Sequence, residues 1–164
     1  MTEKKLLRAE IRAKIAALPR EECLRGDRLI REKVLALPEA RTAKSVFTYL
    51  SEDWEVDTRA VIETLLQWGK TVAIPVVHGK GIMTFADVRD VSGPVLTPER
   101  GDVLLVPALC YDRQNYRLGQ GGGYYDRYLT ACPARSVGLG RAALLQERLP
   151  AEPHDVPVDL VITD

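Results

Sequence analysis

The chain has 164 residues, with 23 basic and 23 acidic side chains and no formal net charge. That length is enough to bury a core as a single unit, and the charge balance argues against bulk attraction to nucleic acid or an anionic membrane, so any anion binding must be local. Cys23, Cys110 and Cys132 are odd in number and lack a C-x-x-C pair, which speaks against disulfides and structural zinc.

The opening Met1–Lys5 lacks the apolar core of a secretory signal, and no stretch is long enough to span a bilayer, so a cytoplasmic protein is expected. Over residues 3–18, Leu7, Ile11, Ile15 and Leu18 recur at helical spacing and Pro19 stops the run, predicting an amphipathic helix. Lys4, Arg8 and Arg12 lie four apart on one edge of it. They read as a solvated basic face, or else Lys4 and Arg8 reach over toward phosphates held elsewhere. A second helix is predicted over 20–37, with Glu21 and Glu22 near its positive end, Ile30, Val34 and Leu37 as its stripe, and Gly26 as a weak point.

Lys44–Leu50 is rich in β-branched and aromatic residues and predicts the first strand. An acidic loop, Ser51–Asp57, follows. Asp57 suits an N-cap for a helix over 58–68. Glu55 reads equally as a solvated acid or as a ligand group, because loops leaving strand ends are where α/β sheets bind ligands. Thr71–Val77 predicts a second strand whose far end Pro75 places at an edge or exit. His78–Gly81 turns the chain back through Ile82–Val88 as a hairpin, and 89–102 reads as a surface connector. Val103–Pro107 predicts a strand leading into a glycine-rich loop. Ser136–Gly140 predicts another, residues 141–150 are ambiguous, and the tail ends in an apolar strand preceded by a Pro-flanked turn at His154–Asp155. Strands alternating with helices predict an α/β fold, a single three-layer domain with a mostly parallel sheet and helices on both faces.

The most informative stretch is Arg117-Leu-Gly-Gln-Gly-Gly-Gly-Tyr-Tyr-Asp126, followed by a predicted helix over Tyr124–Cys132. Gly119, Gly121, Gly122 and Gly123 let the backbone approach a bulky anion closely. Backbone N–H groups and a helix start then face that anion, with Arg117 and Arg127 as flanking cations. Asp126 adds a carboxylate that a divalent cation can share with phosphates. Neither the Walker loop nor the dinucleotide fingerprint fits this spacing.

Taken together, these segments resemble the 5-formyltetrahydrofolate cyclo-ligase family. The likeness rests on Lys4–Arg8, on Tyr49-Leu-Ser with Glu55-Val-Asp57, on Leu105–Pro107, on Arg117–Leu129, and on Pro150–Asp159. It implies an ATP- and Mg²⁺-dependent ring closure of 5-formyltetrahydrofolate to 5,10-methenyltetrahydrofolate, releasing ADP and phosphate through a phosphorylated formyl intermediate. Carried over by position, Lys4, Arg8, Arg117, Leu118, Gly119, Gln120, Gly121, Gly122, Gly123, Tyr124 and Tyr125 would bind ATP. Leu50, Glu55 and Gln120 through Tyr124 would bind the folate, and Asp126 and Asp155 the metal. Some relatives carry a lysine where this chain has Gly122, and the connector before the central strand is short here. The implied partners are these small molecules, with no nucleic acid or membrane, and a monomer is expected. Three other readings remain open: a non-catalytic nucleotide- or folate-binding relative, a single-strand-binding module using the basic helix and tyrosines, and an ATP-dependent ligase on another formyl or amide substrate.

Overall fold

The computed structural model describes residues 2–164. The first helix, α1 (Glu3–Ala17), starts where the Thr2 side chain accepts the Lys5 N–H at 3.2 Å, and buries Ile11 completely. The second, α2 (Arg20–Ala36), begins directly after Pro19 with Glu21 and Glu22 in its first turn, and buries Gly26, Ile30 and Val34. Gly26 is more than a weak point. A Cβ there would lie 2.5 Å from the Asp164 carboxylate, so glycine lets the chain's last residue pack on the helix. A one-turn helix, α3 (Pro38–Thr42), follows, which hydrophobic periodicity does not signal because it is too short.

The strands are β1 (Ser45–Thr48), β2 (Thr71–Gly79), β3 (Ile82–Asp87), β4 (Val95–Leu96), β5 (Val103–Val106), β6 (Cys110–Tyr111), β7 (Arg117–Leu118), β8 (Arg135–Gly140) and β9 (Leu160–Thr163). Seven form one sheet in the order β4-β3-β2-β1-β5-β8-β9. Its core, β2-β1-β5-β8-β9, is parallel, and β3 and β4 add an antiparallel edge. The fold is thus the expected α/β arrangement. The strands depart from the sequence reading in places, β2 running on to Gly79 among them. The 89–102 connector contributes β4, which pairs Val95 and Leu96 with β3. A separate hairpin, β6 with β7, stands between β5 and the glycine loop, so the loop leaves β7 and not the central strand.

Helix α4 (Arg59–Gln67) joins β1 to β2. Asp57 caps it as expected, accepting the Arg59 N–H at 3.1 Å and the Ala60 N–H at 3.4 Å. Helices α2 and α4 cover one face through Ile30, Val34, Val61 and Leu65, which pack on Val46, Val72, Val103 and Leu105. The alternate residues Phe47, Leu104 and Val106 face the other layer, where α5 (Tyr124–Leu129) contributes Tyr125 and Leu129. This helix has only six residues, shorter than the predicted Tyr124–Cys132; past its end, Thr130 bonds back to the Asp126 carbonyl at 2.9 Å. Helix α1 packs through Ile11 on Leu118 of the β6–β7 hairpin and on Leu144 of the turn after β8.

The chain order sets where a ligand can enter. From β1 it moves outward to β2, β3 and β4, then returns to β5 on the opposite side of β1. The connections leaving β1 and β5 therefore diverge, and such a switch point opens a crevice at the carboxyl ends of the two strands.

The hydroxyl of Tyr111 donates to the Val106 carbonyl, and its ring fills the space over Gly138 and Gly140. A Cβ at Gly138 would run into that ring. Gly138→Ala is expected to lower the unfolding free energy by about 1–3 kcal/mol. Urea denaturation measures this, and a variant as stable as the parent would show that Tyr111 can move aside at no cost.

Candidate functional site

A cavity of about 520 Å³ opens at the switch point, and its floor includes Tyr49 and Leu50 after β1 and Pro107 and Ala108 after β5. Tyr49 and Pro107 belong to segments that carry the family likeness, which gave them no ligand role; the strand order places them here. On one side stand Pro75, Val77 and Met83 of the β2–β3 hairpin. Pairing between β1 and β2 ends at Ala73, so beyond it this side of β2 faces the cavity, as Pro75 led us to expect.

The glycine loop forms the opposite wall. Gly121 and Gly123 have φ of +108° and +72°, a region that favours glycine. Gly119 and Gly122 do not, and are constrained by neighbours. A Cβ at Gly122 would meet the Tyr124 ring at 2.6 Å, and one at Gly119 the Arg117 guanidinium at 2.8 Å. Three cations surround the loop. Arg8 donates through Nε to the Gly119 carbonyl at 2.8 Å, which ties α1 to the loop. Arg117 donates to the Pro107 carbonyl at 3.1 Å, lies 3.5 Å from Asp126 and sits over the Tyr125 ring. Lys4 places Nζ 2.7 Å from Asp155 Oδ2. The first helix therefore does reach over to the loop. Arg12 is exposed and lines no part of the cavity.

Two sequence expectations are corrected. Arg127 does not flank the loop; its Nη1 donates to the Lys80 carbonyl at 3.0 Å, and its guanidinium covers Gly81 in the β2–β3 turn. The helix-dipole contribution is also small, because six residues align few peptide dipoles. The positive charge on this side of the cavity comes from Lys4, Arg8 and Arg117.

Asp126 and Asp155, far apart in sequence, both line the cavity, as do Lys4, Arg8, Leu50, Glu55 and every residue from Arg117 through Tyr125. Burial pushes the Asp155 carboxyl up, but hydrogen bonds from Lys4 and the Glu152 N–H, with the charges of Lys4 and His154, outweigh it and hold the group below its ordinary value. Glu55 is half-buried and moves the other way: burial raises it, and the Glu52 N–H at 3.0 Å only partly offsets that. Among the described residues, the Tyr125 hydroxyl is the one buried side-chain polar atom without a hydrogen-bond partner. Trp54, which the sequence reading passed over, also lines the cavity and packs on the α1 cluster. Among the described residues no three His, Cys, Asp or Glu side chains cluster to hold a metal ion. Two carboxylates beside a cation-rimmed wall suit a cation that completes its coordination with other oxygen ligands. No helix of the described residues is long and apolar enough to cross a membrane.

Comparison with known proteins gives one consistent result. The model of the 5-formyltetrahydrofolate cyclo-ligase family matches residues 1–164. The 5-formyltetrahydrofolate cyclo-ligase of Escherichia coli is 34% identical over 156 residues, covering 80% of this chain and 84% of that protein. That of Mycoplasma pneumoniae is 32% identical over 165 residues, covering 99% of each. Among solved structures, a 5,10-methenyltetrahydrofolate synthetase from Mycoplasma pneumoniae superimposes with a TM-score of 0.86 at 29% identity, covering 99% of each chain. The Aquifex aeolicus 5,10-methenyltetrahydrofolate synthetase gives 0.85 at 30% identity, covering 98% of this chain and 89% of the other.

The Lys4–Asp155 pair gives a pH-dependent prediction. A depressed carboxyl contributes stability that is present above its ordinary value of 3.8 and is lost as pH falls through its folded value. Lys4→Met should raise the Asp155 titration and lower stability at pH 7, with the gap to the parent closing below about pH 4. Carboxyl NMR titration and urea denaturation at both pH values measure this. An unmoved Asp155 would remove Lys4 as the cause.

Proposed function

The chain belongs to the 5-formyltetrahydrofolate cyclo-ligase family and is a ligase; from that premise we propose that it closes 5-formyltetrahydrofolate to 5,10-methenyltetrahydrofolate in this cavity, using ATP and Mg²⁺. The observation that carries the reading is that one cavity combines a cation-rimmed glycine wall, two carboxylates and an apolar side. Phosphate, metal and an organic ring can therefore meet in a single space.

The chemistry asks for activation of a poor leaving group. The formyl oxygen attacks the γ-phosphorus, the bond to the ADP oxygen breaks, and ADP leaves. The anilino nitrogen of the folate then attacks the formyl carbon, the carbon–oxygen bond breaks, and phosphate departs with the oxygen as the nitrogen loses its proton. Such transfers need positioning and charge neutralisation more than covalent help from the protein. Lys4, Arg8 and Arg117 supply cations for the phosphates, and the backbone from Leu118 through Gly123 supplies N–H donors. Arg8, held to the Gly119 carbonyl, brings a guanidinium to the glycine loop. A lysine at position 122 would need Tyr124 to move, and Arg8 and Arg117 serve in its place. Asp126 and Asp155 would hold the metal, which supplies positive charge against the developing phosphate charge. Leu50, Glu55, Gln120 and Tyr124 face the folate, with Glu55 accepting from the polar edge of the pterin and so serving specificity. The Tyr125 hydroxyl, otherwise unpartnered, donates to a bound oxygen.

Lys4 pairs with Asp155 and Arg117 with Asp126 in this structure. Phosphates compete for those two cations, and a divalent ion for those two carboxylates. On binding, Lys4 and Arg117 would turn to phosphate while Asp126 and Asp155 would hold the metal, so that no charge would be left uncompensated.

Purified protein with Mg²⁺, ATP and 5-formyltetrahydrofolate should show growing methenyl-folate absorbance that stops when ATP is omitted. Asp126→Ala should lower kcat on the order of a hundredfold, the scale of losing one group that stabilises developing charge. Bound ATP without absorbance change would transfer the chemistry to another formyl or amide substrate.

A further inference from the structure

The loop that carries Glu55 runs from Tyr49 to Thr58, and its two ends are tied together. The Ser51 N–H donates to Thr58 Oγ1 at 3.1 Å, the Thr58 N–H to Ser51 Oγ at 3.0 Å, and Thr58 Oγ1 to the Tyr49 carbonyl at 2.7 Å. These bonds fix where the loop starts and stops, not where its arc points. Within the arc, the Glu55 N–H returns to the Glu52 carbonyl at 3.0 Å, a contact that moves with the loop. What attaches the far limb of the arc to the body of the protein is a separate set of contacts.

That set centres on a buried ion pair that lines no part of the cavity. Arg141, directly after β8, is 8% exposed, and its Nη1 lies 3.0 Å from Asp27 Oδ1 on α2. Asp27 Oδ1 also accepts the Asp57 N–H at 3.3 Å. Arg141 Nη2 points to the Glu55 carbonyl and Nη1 to the Cys23 carbonyl, both at 3.4 Å. The Tyr49 hydroxyl holds the Val56 carbonyl between them at 2.7 Å. Three consecutive loop residues are thus gripped from behind. Two of the three grips come from one charge pair that joins α2, the end of β8 and the loop. A buried guanidinium needs several acceptors at once, and its planar fork can serve α2 and the loop together in a way an ammonium cannot. The α2 helix, which showed no chemistry in the sequence, acquires a role through Asp27.

We infer that Asp27 and Arg141 are positioning residues for the folate half of the site, acting through the backbone of Glu55 and Asp57. The inference rests on the cyclo-ligase reading for the identity of the ligand that Glu55 meets. It separates the Glu55 limb from the glycine wall. Arg8 and Arg117 hold the glycine wall, which on the proposed reading also meets the folate through Gln120 and Tyr124, and Lys4 pairs with Asp155; none of these cations touches the Asp27–Arg141 pair, on which the Glu55 limb depends.

The test uses Arg141→Lys, which keeps the charge but loses the fork, and the double variant Asp27→Asn with Arg141→Gln, which leaves no buried charge alone. Both are made in the full chain, with parallel versions carrying Trp68→Phe so that emission reports Trp54 in the same loop. The expected result is a rise of about tenfold in KM for 5-formyltetrahydrofolate, the scale of one charge-assisted hydrogen bond, with KM for ATP within about twofold. A shift of Trp54 emission accompanies it. The inference is overturned if both KM values rise together, or if the folate KM and Trp54 emission stay at parental values. Should the parent fail to turn over 5-formyltetrahydrofolate, the cyclo-ligase reading fails by itself. Trp54 emission then decides the loop question alone, an unchanged spectrum overturning the inference.

Discussion

Charge compensation inside one crevice is the constraint on which this site depends. Lys4, Arg8, Arg117, Asp126 and Asp155 come from three separate parts of the chain, and the topology brings them all to the mouth of β1 and β5. Removing ions from water costs several kcal/mol each unless they are paired. Lys4 and Asp155 retain only 17% and 10% of their side-chain exposure, and Arg117 only 8%. Pairing Lys4 with Asp155 and Arg117 with Asp126 meets that cost, while Arg8 and Arg117 also lean on the carbonyls of Gly119 and Pro107. The Lys4–Asp155 pair ties α1 to the C-terminal turn and the Arg8–Gly119 bond ties α1 to the glycine loop, so the site closes a gap between segments that no sheet hydrogen bond joins.

How much of this could be read from sequence depended on whether a signal was local. Helices α1 and α2 and strands β1, β5 and β9 announce themselves through periodicity or apolar runs, because burial on one face or on both imposes those patterns. The glycine loop was equally legible, since four glycines between Arg117 and Tyr124 serve no ordinary helix or strand. What could not be read was any feature set by distant neighbours. Arg127 looks like a flanking cation by spacing, yet a turn residue 47 positions away supplies its acceptor. The two-residue strands β4, β6 and β7 are too short to show a period. Gly26 and Gly138 differ from ordinary weak points only because Asp164 and Tyr111 pack against them. Arg141 carries no motif, and its part in the loop emerges only from the coordinates. The proposed ligand roles came from the resemblance; the structure contributes their convergence on one cavity.

The site is also uneven in how firmly its two halves are built. The glycine wall is backbone, with Arg8 bonded to its Gly119 carbonyl at 2.8 Å, which would suit a group that looks alike in every nucleotide. The organic wall is made of side chains on a loop and a hairpin, Glu55 and Trp54 on one and Val77 and Met83 on the other. On the proposed reading, substrate choice would rest with the loop and hairpin, and Gly122 beside Tyr124 would bear on positioning more than on the reaction itself.

Partner exchange between these ion pairs and an incoming metal nucleotide makes a demand that a passive charged pocket does not. A single substitution should act with opposite signs on the two ligands. Binding of free Mn²⁺ by electron paramagnetic resonance, and of ATP by calorimetry, to the parent and to Lys4→Gln is the direct measurement. The account predicts that the variant binds Mn²⁺ more tightly, because Asp155 is released, and ATP more weakly, because a phosphate partner is gone. Weaker binding of both, or unchanged Mn²⁺ affinity, would contradict it.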